Sequence, residues 1–214
     1  MGNAREIVTI TGYKGGVAKS TTAIHIADFL SDYGPTLIVD CDPNRTALSR
    51  YKNNLEIIKN SPKVKKLPFT VVPEKAAAMH VSDYKYIVFD TPARPDSDDL
   101  KELAEGTNLL ILPTQPNSDS FEPMMKTAHD IGNAPYKFLI SIVPPHPSTT
   151  GKDMRQDLID AGLPVFEQMI RRSTGFQHAG DLSTTVRYMT GQKTLWQDYK
   201  AVGKEIISFL ENNK

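Results

Sequence analysis

The sequence GYKGGVAKSTT, residues 12–22, decides how the rest of the chain is interpreted. It follows the apolar run EIVTITG and opens a helical pattern, so a turn of small residues joins a predicted strand to a predicted helix. Such a turn, ending in Lys-Ser at the helix start, is typical of phosphate-binding loops, whose backbone N–H groups face the phosphate oxygens. A phosphate site needs one lysine, Lys19, so the second lysine of the loop, Lys14, requires its own explanation.

The phosphate-loop pattern gives a task to each residue at the start of the helix. Lys19 is expected to meet the β- and γ-phosphates, Ser20 to bind Mg²⁺ through its hydroxyl, and Thr21 to lie near the α-phosphate. Two positions depart from the pattern, because Ala18 and Tyr13 stand where glycines are usual. Alanine adds a Cβ where the backbone passes close to phosphate, so the loop leaves open whether nucleotide affinity is reduced.

Short apolar runs alternate with longer amphipathic segments along the chain. The runs are continuous and rich in Ile and Val, which is typical of strands covered on both faces, and we predict strands at residues 6–12, 36–40, 69–72, 86–90, 108–113 and 138–143. Helices are predicted at residues 20–34, 95–106, 119–132, 152–162 and 195–213. Strands that alternate with helices imply parallel pairing through right-handed crossovers. We therefore predict one α/β domain over residues 1–214, with a three-layer fold in which helices cover both faces of a mainly parallel twisted sheet.

The composition is that of an ordinary globular protein without a global electrostatic field. Lys+Arg and Asp+Glu number 25 each, so any contact with nucleic acid or an anionic membrane must come from a local basic patch. The single cysteine, Cys41, excludes an intramolecular disulfide and favours a reducing compartment. No signal-peptide pattern is evident and the apolar stretches are too short to cross a bilayer. We expect a cytoplasmic protein without stable membrane insertion.

Two acidic residues follow apolar runs and complete the predicted phosphate site. TLIVDCDP reaches Asp40 at the end of one strand, and YIVFDTPA reaches Asp90 at the end of another. Ligands of open α/β sheets bind at the carboxyl ends of the strands. We interpret Asp90 as the carboxylate that holds Mg²⁺ through water, and Asp40 as the group that positions the attacking water.

Together these segments resemble a known family. KGGVAKSTT, VDCDPN and VFDTPA resemble the deviant Walker A, switch I and Walker B segments of ParA/MinD-type ATPases, and LPTQPNSDSFEP is similar to the family's stretch after the fifth strand. The resemblance covers nearly the whole chain in order and spacing. It is closest to small members, the ParF-like partition ATPases and the McdA-like ATPases that space carboxysomes.

The resemblance implies a role for every residue of the loop. Nucleotide-binding residues are then Gly15, Gly16, Val17, Ala18, Lys19, Ser20 and Thr21. Lys14 falls on the family's signature lysine, which reaches across a homodimer interface to the nucleotide of the other subunit, much as an arginine finger does. Catalysis would rest on Lys14, Lys19 and Asp40, with Mg²⁺ as cofactor and ATP as substrate. The family contacts the base with the segment after the sixth strand, IVPPHPSTTGK here, but its prolines match no transferable pattern.

The resemblance also implies partners. In this family the ATP dimer binds nucleoid DNA without sequence preference, and an adaptor, ParB-like or McdB-like, stimulates hydrolysis and release. The basic residues predicted to contact DNA are Arg171, Arg172, Arg187 and Lys193. Such contacts neutralise phosphates and weaken steeply with salt. The implied task is the intracellular positioning of a plasmid, a chromosome region or a protein organelle such as the carboxysome.

Two alternatives stay open at this stage. A MinD-like membrane-surface ATPase would use the last helix as a membrane anchor, although its apolar stripe is interrupted by glutamates and packing onto the domain is favoured. A metabolic kinase or synthetase with a phosphate loop would share the fold, but would rarely need Lys14. All five histidines lack metal-ligand spacing and are interpreted as structural.

Overall fold

The computed structural model describes residues 5–61, 64–93 and 97–213. Within these ranges the chain forms six strands: β1 (Glu6–Ile10), β2 (Thr36–Asp40), β3 (Thr70–Pro73), β4 (Tyr86–Asp90), β5 (Leu109–Thr114) and β6 (Tyr136–Ile140). Its α-helices there are α1 (Lys19–Leu30), α2 (Thr46–Asn60), α3 (Ser97–Glu105), α4 (Phe121–Ile131), α5 (Thr150–Asp160), α6 (Thr174–Asp181) and α7 (Lys193–Asn212).

The six strands form one sheet in the order β3-β2-β4-β1-β5-β6, and each neighbouring pair is parallel. β1 lies near the middle, between β4 and β5, so the loop that follows it opens at the centre of the sheet. All strands point the same way, and their carboxyl ends share one edge, where open α/β sheets bind ligands. The predicted fold class is confirmed.

Helices cover both faces of the sheet, as predicted. Successive strand residues point to opposite faces. On one face, Val8 and Val88 belong to a buried cluster that includes residues of α1, α2 and α7. On the other face, Leu110 and Phe138 pack in a second cluster with residues of α3, α4 and α5. Together the two clusters give the three-layer arrangement.

Three elements differ from the sequence prediction, and one of them is α6 (Thr174–Asp181), over which no helix was predicted. No helix was predicted over residues 46–60, where α2 lies. Its N-cap, Arg45, is in the left-handed region with φ 52° and forms no side-chain hydrogen bond to the helix. The usual sequence signal for a helix start is therefore missing. The strand predicted at 138–143 begins earlier and ends earlier, at Ile140. Ile142 adopts φ 55°, which takes the chain out of the extended conformation although its side chain favours a strand.

The last helix packs on the domain, as predicted. Val202, Ile206 and Leu210 of α7 are buried in the same cluster as α1. These apolar side chains are therefore used for packing. Among the described residues, no helix combines the length and apolarity that a bilayer crossing requires.

The contact between α1 and α7 depends on a glycine. A Cβ on Gly203 would lie 2.1 Å from Cδ1 of Phe29, whose ring is buried. We predict that Gly203→Ala lowers the free energy of unfolding by about 2 kcal/mol, because overpacking forces buried groups apart. Urea denaturation followed by circular dichroism measures this. Ser208→Ala, at an exposed position of the same helix, is the control and should change stability by less than about 0.5 kcal/mol.

Candidate functional site

The loop between β1 and α1 is held by its carbonyl groups. Gly16 O accepts a hydrogen bond from Gln115 Nε2 at 3.0 Å, and Val17 O accepts one from Ser141 Oγ at 3.0 Å. The N–H of Ser141 donates to the carbonyl of Thr114 at 2.7 Å, so one residue joins the loop to the ends of β5 and β6. Carbonyls that are occupied by the protein leave the loop's N–H groups for a ligand. An anion is the ligand that such donors bind.

The structure accounts for both departures from the usual glycine pattern. The side-chain contacts of Tyr13 explain the first, and the backbone conformation of Ala18 determines the free-energy cost of the second. Tyr13 is half-buried against the cluster below α4, and its hydroxyl donates to Asp130 Oδ2 at 3.1 Å, so it anchors the start of the loop. Gly16 has φ 78°, which favours glycine. Ala18 has φ 68° at the N-cap of α1, which costs an alanine about 1 kcal/mol. The loop therefore keeps its left-handed geometry at Ala18 without the glycine that adopts it freely.

Lys19 is placed at the centre of the site. Its side chain is buried, and Nζ donates to the carbonyl of Lys14 at 3.3 Å. Burial lowers the pKa of Lys19, and the nearby carboxylates of Asp90 and Asp42 oppose that shift. A buried ammonium beside two carboxylates and an anion-binding loop is arranged to meet phosphate.

The two predicted acids lie side by side at the carboxyl edge of the sheet. Asp40 pairs in register with Asp90, which also pairs with Ile10 at the end of β1. Asp40 is fully buried; Oδ1 accepts from the N–H of Asp42 at 3.1 Å and Oδ2 from the N–H of Leu48 at 2.8 Å. These two bonds fix the orientation of the carboxylate and join the end of β2 to the start of α2. The structure brings Asp40, Asp90 and the loop together, as the sequence predicted.

Asp90 differs from Asp40 in its partners. It too is fully buried, yet neither carboxylate oxygen accepts a hydrogen bond of normal geometry from the described residues. Burial raises the pKa of Asp90 to about 7, and the adjacent Ser20 hydroxyl acts in the opposite direction. A buried carboxylate without a partner costs free energy unless a ligand supplies one. The two orphaned oxygens beside a serine hydroxyl fit a Mg²⁺ ion, which prefers hard oxygen ligands and retains waters.

Lys14 differs from Lys19 in its exposure. Its side chain is exposed, while its carbonyl holds the ammonium of Lys19. The loop thus presents one lysine to the interior and one to solvent. An exposed lysine adjacent to a phosphate site is available to a second molecule.

A cleft of about 540 Å³ opens beside the loop. It is lined by Gly16, Ala18 and Thr21 on the loop side and by Ile142 at the end of β6. Its far wall is formed by residues 170–174, 176 and 177, with Tyr199 from α7. From the segment IVPPHPSTTGK, where the family resemblance placed the base contact, only Ile142 lies on this cleft. The segment before and within α6 supplies the wall.

The four residues predicted to contact DNA have different environments. Arg171 lines the cleft and forms a two-pronged ion pair with buried Asp198, with both N···O distances 2.7 Å. Arg187 pairs with Asp28 and Asp32 at 3.0 and 3.1 Å. Arg172 lies on the cleft and is exposed, and Lys193, also exposed, begins α7. Arg171 and Arg187 are thus engaged by acids of their own chain.

The cleft wall includes residues that sequence reasoning missed. Arg50, Gln115 and Tyr199 all line it, from α2, the end of β5 and α7. They are far apart in sequence and no local motif marks them. Tyr199 could be traced only through its packing, since its ring stacks on His25 with centroids 4.7 Å apart and its hydroxyl lies 3.1 Å from Thr22 Oγ1.

His25 joins the cleft wall to the helix that follows the loop. Nδ1 lies 2.7 Å from the carbonyl of Thr21, to which it donates, and Nε2 accepts the N–H of Val186 at 3.2 Å. Both ring nitrogens are satisfied only in the neutral form with the proton on Nδ1. Burial lowers the pKa of His25 to about 4, opposed by the hydrogen bond to Thr21. The structure supports the interpretation of this histidine as structural.

The geometry agrees with the comparisons to known proteins. The model of the "CobQ/CobB/MinD/ParA nucleotide binding domain" family matches residues 8–184. The maintenance of carboxysome distribution protein A of Gloeobacter kilaueensis is 25% identical over 94% of this chain and 93% of its own. Among solved structures, a plasmid partition protein of Borrelia burgdorferi B31 bound to AMPPNP is 18% identical, with a TM-score of 0.73 and coverage of 96% and 99%. The ATP complex of a Cyanothece McdA variant is 12% identical, with a TM-score of 0.74 and coverage of 97% and 98%.

The chain belongs to the CobQ/CobB/MinD/ParA nucleotide binding domain family. The resemblance to the ParA/MinD group is thereby confirmed at the level of a nucleotide-binding domain, and the two solved structures share its fold. The family match begins inside β1 and ends after α6, so it includes the phosphate loop, both acids and most of the cleft wall.

The neutral state of His25 predicts a pH dependence of stability. The unfolded histidine takes up a proton near pH 6.5, whereas the folded one does so only near pH 4, so acid favours the unfolded state in this window. Between pH 7 and pH 5 the contribution of His25 to the free energy of unfolding should fall by about 2 kcal/mol. Urea denaturation of wild type and His25→Gln at both pH values measures the slope of the free energy of unfolding against pH for each protein. The exposed His178 is the control: His178→Gln should keep the wild-type slope, and an equal slope in His25→Gln would refute the assignment.

Proposed function

We propose that this chain is an ATP-driven positioning ATPase. Two copies would form a dimer that encloses two nucleotides between its subunits. The single observation that carries the proposal is the difference in burial between the two loop lysines. Lys19 is buried in the phosphate site, and Lys14 is exposed beside it. An exposed lysine on a phosphate loop is free to contact a second molecule. In a face-to-face dimer it would reach the nucleotide of the other subunit, as an arginine finger does.

The proposed reaction is hydrolysis of the bond between the β- and γ-phosphates by water. Lys19 and Lys14 of the partner subunit would stabilise charge on the transferred phosphoryl group. Asp40, oriented by two backbone N–H groups, would position the attacking water. Ser20 and Asp90 would hold Mg²⁺, Asp90 through water, and the ion would neutralise charge on the phosphates.

The proposed biological task is the positioning of cargo in the cytoplasm. The carboxysome distribution protein and the plasmid partition protein bear names that describe this kind of task, and the chain shares its length and fold with both. We propose that the ATP dimer binds nucleoid DNA without sequence preference and that a ParB-like or McdB-like adaptor stimulates hydrolysis. Since Arg171 and Arg187 are held by acids of the same chain and Arg172 lines the nucleotide cleft, exposed Lys193 is the better candidate for a contact with DNA phosphate.

Light scattering tests the dimer. Wild type should have a mass of one chain, 23.8 kDa, without nucleotide and twice that mass with Mg²⁺ and a non-hydrolysable ATP analogue. Lys14→Ala should remain a monomer with nucleotide and lose ATPase activity at least tenfold, because the charge in trans is removed. Lys59→Ala, an exposed lysine near the end of α2, is the matched control and should behave as wild type. An unchanged dimer and rate in Lys14→Ala would remove the role in trans.

DNA binding separates the positioning function from the other uses of the fold. Fluorescence anisotropy with a random-sequence duplex, at about 50 and 200 mM salt, should show binding only with the ATP analogue and a steep loss at the higher salt concentration. A nucleotide-dependent dimer that ignores DNA would contradict the nucleoid part of the proposal. A protein that binds ATP without any dimer would favour a metabolic enzyme.

A further inference from the structure

Arg50 is a half-buried cation beside the nucleotide cleft. It lies on α2, and its Nη1 atom is buried without a hydrogen-bond partner among the described residues. Burial lowers the pKa of Arg50, while the carboxylates of Asp181 and Asp90 oppose this only through space. A guanidinium offers five donors and stays charged, so leaving one of them buried and unpaired costs free energy. Such a group is stabilised when a ligand provides the acceptor.

The position of Arg50 indicates which ligand this is. Arg50 lines the same cleft as Ala18, the last residue of the loop, and Thr21, which follows Lys19 by two positions. Thr21 is the residue that the phosphate-loop pattern places near the α-phosphate. Arg50 therefore lines the same cleft as the residue expected beside the α-phosphate, whereas Lys19 is the cation expected at the β- and γ-phosphates.

The neighbouring helix makes room for this guanidinium. A Cβ on Gly180 of α6 would lie 2.6 Å from Nη2 of Arg50 and 2.7 Å from its Cζ. Any side chain at position 180 would displace the guanidinium. Gly180 thus allows Arg50 to occupy its place beside the cleft.

We propose that Arg50 binds the α-phosphate of the nucleotide and thereby contributes to the affinity for ATP and ADP alike. This inference rests on the proposed nucleotide-dependent function of the same site. Arg50 is a binding residue in it, because the α-phosphate does not react. A charge-assisted hydrogen bond from guanidinium to phosphate is among the stronger polar contacts in proteins. Without nucleotide, the unpaired guanidinium nitrogen lowers the free energy of unfolding.

Calorimetric titration of Arg50→Met with ADP and with a non-hydrolysable ATP analogue, in the presence of Mg²⁺, tests the proposal. Both nucleotides should bind at least tenfold more weakly than to wild type, and by the same factor, because both contain the α-phosphate. Lys52→Met removes an exposed cation from the same helix and should leave both affinities unchanged. Unchanged binding to Arg50→Met, or a loss confined to the ATP analogue, would overturn the assignment.

Two further measurements separate a binding role from a structural one. In urea denaturation without nucleotide, Arg50→Met should be at least as stable as wild type, because an unpaired buried charge is removed. A large loss of stability would show that Arg50 serves the fold instead. Gly180→Ala should fold normally and still weaken both nucleotides, because the displaced group is the flexible end of a side chain. Binding by Gly180→Ala equal to wild type would contradict the placement.

The same experiments distinguish the inference from the function on which it rests. If wild type binds neither nucleotide, the proposed function and the role of Arg50 both fail. If wild type binds both and forms the dimer while Arg50→Met binds them equally well, only the role of Arg50 fails.

Discussion

The burial of unpaired charge at the carboxyl edge of the sheet is the constraint on which the site depends. Asp90 has no full hydrogen-bond partner for either oxygen, and Arg50 has a buried nitrogen without one. Lys19 is buried near the carboxylate of Asp90. Each of these groups is unfavourable in the free protein, and a metal–nucleotide complex offers what each lacks: a cation for the carboxylate and phosphate oxygens for the two cations. The fold keeps these groups apart and oriented by anchoring the loop through its carbonyls.

Much of this site could be predicted from sequence because its main parts are local. The strand, turn and Lys-Ser helix start are contiguous, and Asp40 and Asp90 each end an apolar run. Parallel pairing then brings distant strand ends to one edge without further information. In the structure Asp40 and Asp90 are register partners at this edge.

The cleft wall could not be predicted in the same way, for a physical reason. Arg50, Arg171 and Tyr199 reach the cleft through the packing of α2, the segment before α6 and α7, and no sequence period records which side chains meet across three layers. The basic residues at 171 and 172 carried only a charge signal, which was interpreted as a DNA surface. The structure places Arg171 and Arg172 on the nucleotide cleft and ties Arg171 to Asp198. Helix α2 was missed because its N-cap carries no capping side chain.

The account's central claim is that each nucleotide lies between two subunits. A crystal structure of the protein with Mg²⁺ and a non-hydrolysable ATP analogue tests it most directly. The account predicts a two-fold dimer in which the ammonium of Lys14 from the partner subunit lies within hydrogen-bond distance of the phosphates. A monomeric complex, or a dimer in which Lys14 remains in solvent, would contradict it.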